Sequence, residues 1–375
     1  MRALKLILLA ALLSFSNTMA AALSLKDKIG QMLIIGFEGN HVDENSAVAK
    51  AINEHNIGGV ILFDYNMRSK KFDKNITSPA QVRELNHNLQ QLTSVANDEH
   101  KRDNLPLIIS VDYEGGKVNR LAERYGFPAT YSQKKIAQLP EDEAIAVAET
   151  MADTLKTAGF NLNFAPVLDM EVNPDNPIIA KLERSFSDNP KVVTHYGHLF
   201  AKKYLSRKVQ CAYKHFPGHG SSTTDSHLGF VDVTDTWNDE EIIPFAQSLR
   251  QRAHCGMMMT AHIVNRKLDA SGLPATLSQP ILTGLLRHEL GFDGVIVSDD
   301  MQMKAISQHF GLEKALTLAI NAGADMLIFG NQLVDTPQDP GDIIKIIEDK
   351  VASGEILEER IDEAYQHIQQ LKQTL

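Results

Sequence analysis

The sequence predicts a single-domain α/β protein of the (β/α)8 TIM-type barrel class. Three observations point there. Eight short apolar runs recur along the chain, amphipathic helix-like segments fill the intervals, and polar residues gather where the runs end. Continuous apolar runs alternating with helices imply parallel strands buried on both faces. Eight such units in one chain imply a closed barrel. An open doubly wound sheet uses the same alternation, but no Gly-x-Gly-x-x-Gly turn follows the first run.

The runs, in order, are Gln31 to Phe37, Gly59 to Phe63, Leu107 to Val111, Leu162 to Leu168 and Val209 to Tyr213, then Gly256 to Thr260, Gly294 to Ser298 and Asp325 to Phe329. The fillers carry helix-start signals, as where the polar stretch Thr234 to Asp239 precedes Glu240 to Leu249. The last segment, Ile343 to Leu371, reads as two amphipathic helices divided by Ala352-Ser353-Gly354. No internal repeat, low-complexity tract or linker interrupts the pattern, so one domain is expected.

Of 375 residues, 43% are hydrophobic and 22% charged, which are ordinary globular values and allow a large core. The formal net charge is -10, and the one basic cluster, Arg68 to Lys74, is short. Nucleic acid is therefore excluded as a partner. Residues 1 to 22 have the three parts of an export signal: Arg2 and Lys5, the apolar core Leu6 to Leu13, and a polar stretch leading to Ala20 and Ala22. Cleavage after either alanine fits. The apolar core is far shorter than the roughly 20 residues a membrane span needs. A mature barrel over 23–375, exported to the periplasm or secreted, with no stable membrane insertion, is expected. The two cysteines, Cys211 and Cys255, lie near the starts of predicted strands. In an exported protein they can pair; as half-buried thiols they can equally stay reduced.

The chemistry sits at strand ends. Strand three ends in Asp112-Tyr113-Glu114-Gly115-Gly116, with Arg120 shortly after; strand four ends in Asp169, strand five in Lys214-His215, strand six near His262 and strand seven at Asp299. In barrels of this kind the C-terminal strand ends form the active face, so these residues converge. After strand five a Pro-Gly/Gly loop carries His219, Asp225 and His227. Asp225 lies two residues from His227, so its carboxylate can hold the imidazole in one tautomer and raise its pKa toward working pH if the segment is extended. That suits His227 to general acid and base work, although the pair alone fits a plain surface loop as well. Asp299 and Asp300 are strand neighbours whose side chains point to opposite faces. Asp299 is expected at the mouth, ionised close to Lys214 and acting as nucleophile or cation stabiliser; Asp300 is expected to cap the following turn or support it from behind. Arg120, Arg184 and Lys214 are candidate donors to sugar hydroxyls and Asp112 a candidate acceptor, though each alone is more often an ion pair. The spacing of His215, His219 and His227 matches neither a helical metal face nor a zinc finger, and Lys214 beside them repels a divalent cation. No metal and no cofactor is expected.

Taken together, these residues resemble glycoside hydrolase family 3, and within it the single-domain β-N-acetylglucosaminidase (β-N-acetylhexosaminidase) branch. The resemblance runs from Leu25 to Gly39 through Asp112 to Arg120, Asn163 to Asp169, Arg184-Ser185-Phe186, Lys214 to Gly220, Asp225-Ser226-His227 and Gly294 to Asp300 to the terminal helices. It implies Asp299 as nucleophile, His227 as acid/base and Asp225 as its orienting partner, with Asp112, Arg120, Arg184, Lys214 and His215 holding an N-acetylglucosamine ring. The implied reaction is a double displacement with retention, in which a histidine on a loop able to swing replaces the usual second carboxylic acid. The implied partner is a carbohydrate with a non-reducing terminal N-acetylglucosamine, met by a monomer. Peptidoglycan fragments and chito-oligosaccharides both present such a terminus, and water or phosphate can be the final acceptor. Departures from the family pattern are modest: Met301-Gln302 after the nucleophile, a longer Ala180 to Glu183, and His367 in the terminal helix. Two other readings stand beside this one. The first is a β-glucosidase- or β-xylosidase-like single-domain hydrolase. The second is a metal-dependent barrel amidohydrolase, which needs a His-x-His that Ile34 to Phe37 does not offer.

Overall fold

A computed structural model describes residues 23–72 and 74–375; the export signal read at 1–22 lies outside the described residues. Eight strands form the centre: β1 (Leu33–Gly36), β2 (Gly59–Leu62), β3 (Ile108–Val111), β4 (Leu162–Asn163), β5 (Gln210–Phe216), β6 (Met257–Thr260), β7 (Val295–Asp300) and β8 (Met326–Phe329). Each pairs in parallel with the next, and β8 returns to β1 through Leu33 opposite Leu327 and Ile35 opposite Phe329, closing the barrel. Runs such as Leu33-Ile34-Ile35 and Val295-Ile296-Val297 are wholly buried because side chains alternate between the barrel interior and the helix layer.

The helices begin where a short polar side chain can take up a stray backbone N–H. Ser46 accepts from Ala49, Ser78 from Gln81 ahead of Pro79, and Asn189 from Lys191 ahead of Pro190. Two of them stop at Gly159 and Gly323, whose φ values of 84° and 115° lie in the left-handed region. The expected strand over Leu162 to Leu168 is shorter than predicted. Pro166 has no N–H to donate, so the regular ladder ends at Asn163, and Leu168 rejoins β5 through its N–H to the Lys214 carbonyl at 2.7 Å. Gln31, read as strand, closes the helix Leu25–Gln31 instead. The segment Glu240 to Leu249 divides into a 3-10 turn, Asp239–Ile242, and a helix, Ile243–Leu249, with Pro244 in its first turn.

At the N-terminal ends of the strands, away from the mouth, the contacts are structural. Cys211 of β5 and Cys255, just ahead of β6, form a disulfide between adjacent strands. Asp325, fully buried ahead of β8, accepts from Arg360 at 2.5 Å and faces His367 at 3.0 Å, and Arg287 pairs with it as well. His367 therefore serves this network and not the mouth.

Lys372 is the exception in this layer. Its ammonium is buried and reaches only Gln31 Oε1, at 2.6 Å, and among the described residues no carboxylate pairs with it. Burial without a counter-charge pulls its pKa down to about 7. A lysine whose folded pKa lies below its unfolded one costs stability in full at pH below the folded value, and that cost fades as pH rises from the folded value of about 7 toward the ordinary 10.5. Lys372→Met keeps the aliphatic stem and leaves only Gln31 Oε1 unpaired. It is expected to raise the melting temperature at pH 6 by several degrees, with the gain shrinking by pH 10. Equal melting temperatures at pH 6 would contradict this reading.

Candidate active site

Each polar side chain at the mouth is carried there by a strand end and the turn that follows it. Beyond β3 the chain folds into a hairpin, Tyr113–Gly115 against Val118–Asn119. Its turn needs Gly115 and Gly116 at φ 92° and 59°, and a Cβ on Gly115 would lie 2.2 Å from the Tyr131 carbonyl. The hairpin sets Glu114 inside the barrel rim, where it is buried. There it accepts two parallel hydrogen bonds from Arg184, Nε to Oε2 and Nη2 to Oε1, both 2.7 Å, and one contact of 2.7 Å from Lys214 Nζ. Burial would raise the Glu114 pKa, but the charges of Arg184 and Lys214 prevail and hold it at about 2. Lys214 reaches Asp112 at 2.8 Å as well. Burial works against its charge, yet the two carboxylates keep it above the ordinary lysine value.

A second chain of contacts runs behind the first. Asp169, fully buried at the end of the β4 segment, accepts from His215 Nδ1 at 2.6 Å and from the His219 backbone N–H at 2.8 Å. Arg184 Nη2 lies 3.3 Å from His215 Nε2. Arginine can only donate, so the Nε2 lone pair faces it and the His215 proton sits on Nδ1, aimed at Asp169.

The β5 loop delivers the dyad. Asp225 Oδ1 accepts from both the backbone N–H and Nδ1 of His227, each at 2.8 Å. The segment is not extended as the sequence suggests: Leu228 N–H returns to the Asp225 carbonyl at 3.0 Å, so a tight turn brings carboxylate and imidazole together. The His227 side chain is 48% exposed, and its Nε2 has no hydrogen-bond partner among the described residues. Burial lowers its pKa, but the Asp225 hydrogen bond and the Asp299 charge outweigh that and raise it.

Asp299 and Asp300 close β7 with different surroundings. Burial would raise both. Asp299 is nevertheless held at about 2 by the imidazoles of His262, His215 and His227 and by a 2.8 Å hydrogen bond from the Asp300 N–H. Asp300 is pushed up to about 7 by burial and, against the hydrogen bonds it receives, by the neighbouring Asp299 charge. Its Oδ1 accepts from Gln302 N–H at 3.0 Å, the turn-capping contact expected of it. Pairs of carboxylates pushed apart in this way mark divided roles. Lys214, expected close to Asp299, is taken up by Asp112 and Glu114, and no lysine or arginine among the described residues pairs with Asp299 in its place.

Arg120 stands apart from this cluster. It faces Asp64 at 3.7 Å and lies over the Phe63 ring, on the β2 side of the mouth. Of the other residues read from sequence, Asp112, Arg184, Lys214 and His215 form one connected network, and Asp225 with His227 a second unit. Three participants carried no assigned role: Glu114, Asp169 and His262. His262 Nε2 donates to the Asp300 carbonyl at 3.0 Å, and its Nδ1 meets Thr276 Oγ1 at 2.7 Å. Their only signal in the sequence is position, a polar residue at the end of a strand.

Residues 24–371 match the glycosyl hydrolase family 3 N terminal domain. The chain is 36% identical over 297 residues to beta-hexosaminidase A of Pseudoalteromonas piscicida, covering 75% of this chain and 47% of that protein. It is 30% identical over 361 residues to beta-hexosaminidase LpqI of Mycobacterium tuberculosis, covering 94% of this chain and 84% of that protein. The fold superimposes on a family 3 β-N-acetylglucosaminidase from a Paenibacillus species with a TM-score of 0.82 at 34% identity, over 94% of this chain and 63% of the other. For the β-N-acetylhexosaminidase of Beutenbergia cavernae the TM-score is 0.81 at 26% identity, over 94% of this chain and 99% of the other. The chain thus spans about half the length of the Pseudoalteromonas relative.

Proposed function

The chain belongs to glycosyl hydrolase family 3, and from that premise we propose that it is a retaining exo-β-N-acetylglucosaminidase, releasing terminal N-acetylglucosamine from peptidoglycan fragments or chito-oligosaccharides. One observation carries the reading: a carboxylate kept ionised at the end of β7 and an imidazole kept basic by its own carboxylate share one mouth. Asp299 attacks the anomeric carbon as His227 Nε2 gives its proton to the departing oxygen, so the glycosidic bond breaks and an ester to Asp299 forms. His227 then takes a proton from water, which attacks the same carbon and frees Asp299, returning the β anomer. Asp112, Arg120, Arg184, Lys214 and His215 hold the ring. The reaction needs no cofactor. Every group named comes from one chain, which suits a monomer. The buried disulfide fits an oxidising compartment, and with the pattern of residues 1–22 it supports export to the periplasm or beyond.

The test is hydrolysis of an aryl β-N-acetylglucosaminide against the matching β-glucoside, with the first-formed anomer read by proton NMR. Preference for the N-acetyl sugar and initial release of the β anomer are expected. Release of the α anomer, or preference for the glucoside, would overturn the proposal. The pH profile follows from His227. It must enter the first step protonated, so kcat/KM is expected to fall on the alkaline side, above the ordinary histidine value of 6.5. Asp225→Asn removes the negative partner that favours the imidazolium. The alkaline limb should move to lower pH and kcat/KM drop by about 100-fold; an unmoved limb would show that Asp225 does not set this titration.

A further inference from the structure

The signature after β5 contains a second histidine, His219, that the mechanism does not use. It is buried, and both ring nitrogens meet hydroxyls of the loop that follows: Nδ1 lies 2.8 Å from Ser222 Oγ and Nε2 3.3 Å from Ser226 Oγ. Ser222 Oγ also lies 3.1 Å from the His219 carbonyl and 3.0 Å from Asn176 Nδ2, so it is held from three sides. A neutral imidazole donates through one nitrogen and accepts through the other, and a hydroxyl can do either, so both contacts can be satisfied at once. The root of this arrangement is fixed: the His219 N–H goes to Asp169 and its carbonyl accepts from Asn176.

Ser226 is the residue between Asp225 and His227. It is buried while Thr223, Thr224, His227 and Leu228 around it are exposed. Its carbonyl accepts from the Ala305 N–H at 3.3 Å, on the short helix that follows β7 and Asp299. One residue thus ties the dyad to β5 by its side chain and to the Asp299 segment by its backbone.

We propose that His219 and Ser226 form a hydrogen-bonded pin that sets the His227 imidazole in register with Asp299, which makes His219 a positioning residue for the proton-transfer steps. The inference rests on the glycosidase reading above. Its chemical content is that a misplaced imidazole fails most where the leaving oxygen most needs a proton. A nitrophenolate can depart unaided; an alkoxide or sugar oxygen cannot. Burial lowers the His219 pKa to about 4, consistent with a neutral ring that donates to one serine and accepts from the other.

The test compares wild type, Ser226→Ala and His219→Gln on a series of aryl and alkyl β-N-acetylglucosaminides whose leaving groups differ in acidity, together with hydrogen exchange of the loop amides. For Ser226→Ala we expect kcat/KM to fall less than about 3-fold with the most acidic phenol and at least about 30-fold with an alkyl or sugar leaving group. Exchange over residues 222–231 should rise about 10-fold with the barrel strands unchanged. His219→Gln, whose amide can still meet Ser226, should show a weaker dependence on the leaving group than Ser226→Ala. A loss equal across all leaving groups, or exchange unchanged in Ser226→Ala, would overturn the pin. If wild type turned over none of the sugars, the glycosidase reading would fall, and the exchange result alone would decide whether the pin exists.

Discussion

Asp299→Asn is expected to lower kcat/KM by roughly 10⁴-fold or more while leaving the fold intact, because it removes the proposed attacking oxygen together with the charge that helps keep His227 protonated. The amide oxygen still accepts from the Asp300 N–H, so the strand end keeps its geometry. No lysine or arginine pairs with Asp299 among the described residues, so no buried cation is stranded by the change. A slow fluorinated N-acetylglucosaminyl substrate should add its mass to the peptide carrying Asp299 in wild type and to no peptide in the variant. The adjacent carboxylate is the built-in control. Asp300 is half protonated near neutrality and spends Oδ1 on the Gln302 N–H, so it is a poor nucleophile. Asp300→Asn preserves that hydrogen bond and should retain most activity. A label on Asp300, or an Asp299→Asn enzyme with near wild-type turnover, would remove the mechanism.

The difference between these neighbours is legible in part from the residues alone. Strand periodicity puts Asp299 and Asp300 on opposite faces, and Ser298 marks where the apolar run stops. The barrel is legible for the same reason, since each apolar run is short, continuous and followed by a helix. Partners contributed by distant segments are not legible. Arg184 and Glu114 are 70 residues apart, and their meeting depends on a hairpin turn at Gly115-Gly116 that no periodicity announces. The field around Asp299 is likewise hidden from sequence reasoning. Lys214 is its near neighbour across the mouth in strand order, but two carboxylates claim its ammonium first. The cysteines show an intermediate case. Both precede or begin consecutive strands, which are neighbours in a barrel, but pairing also needs matched register. The Cα atoms lie 4.8 Å apart.

Glu114 is where fold and site depend on one another most. It takes three of the hydrogen bonds that orient Arg184 and Lys214, two residues proposed to hold the sugar, and it is buried with them. Removing one charge from such a cluster strands the others. Lys214 keeps Asp112, but Arg184 is left with the Ile178 carbonyl and the His215 lone pair. Glu114→Gln is therefore expected to cost about 3–5 kcal/mol of stability, and to raise KM at least about 10-fold as both cations lose their orientation. The pH dependence separates this from generic damage. The folded pKa of about 2 lies below the ordinary 4.5, so the carboxylate's contribution is complete above 4.5 and is lost as pH falls through 2. Wild type should lose stability steeply across that window, and Glu114→Gln less steeply, so the two unfolding curves should converge toward pH 2. Parallel curves from pH 7 to pH 2, or an unchanged KM, would mean that Glu114 bears neither load, and that Arg184 and Lys214 are held by groups other than the carboxylate between them.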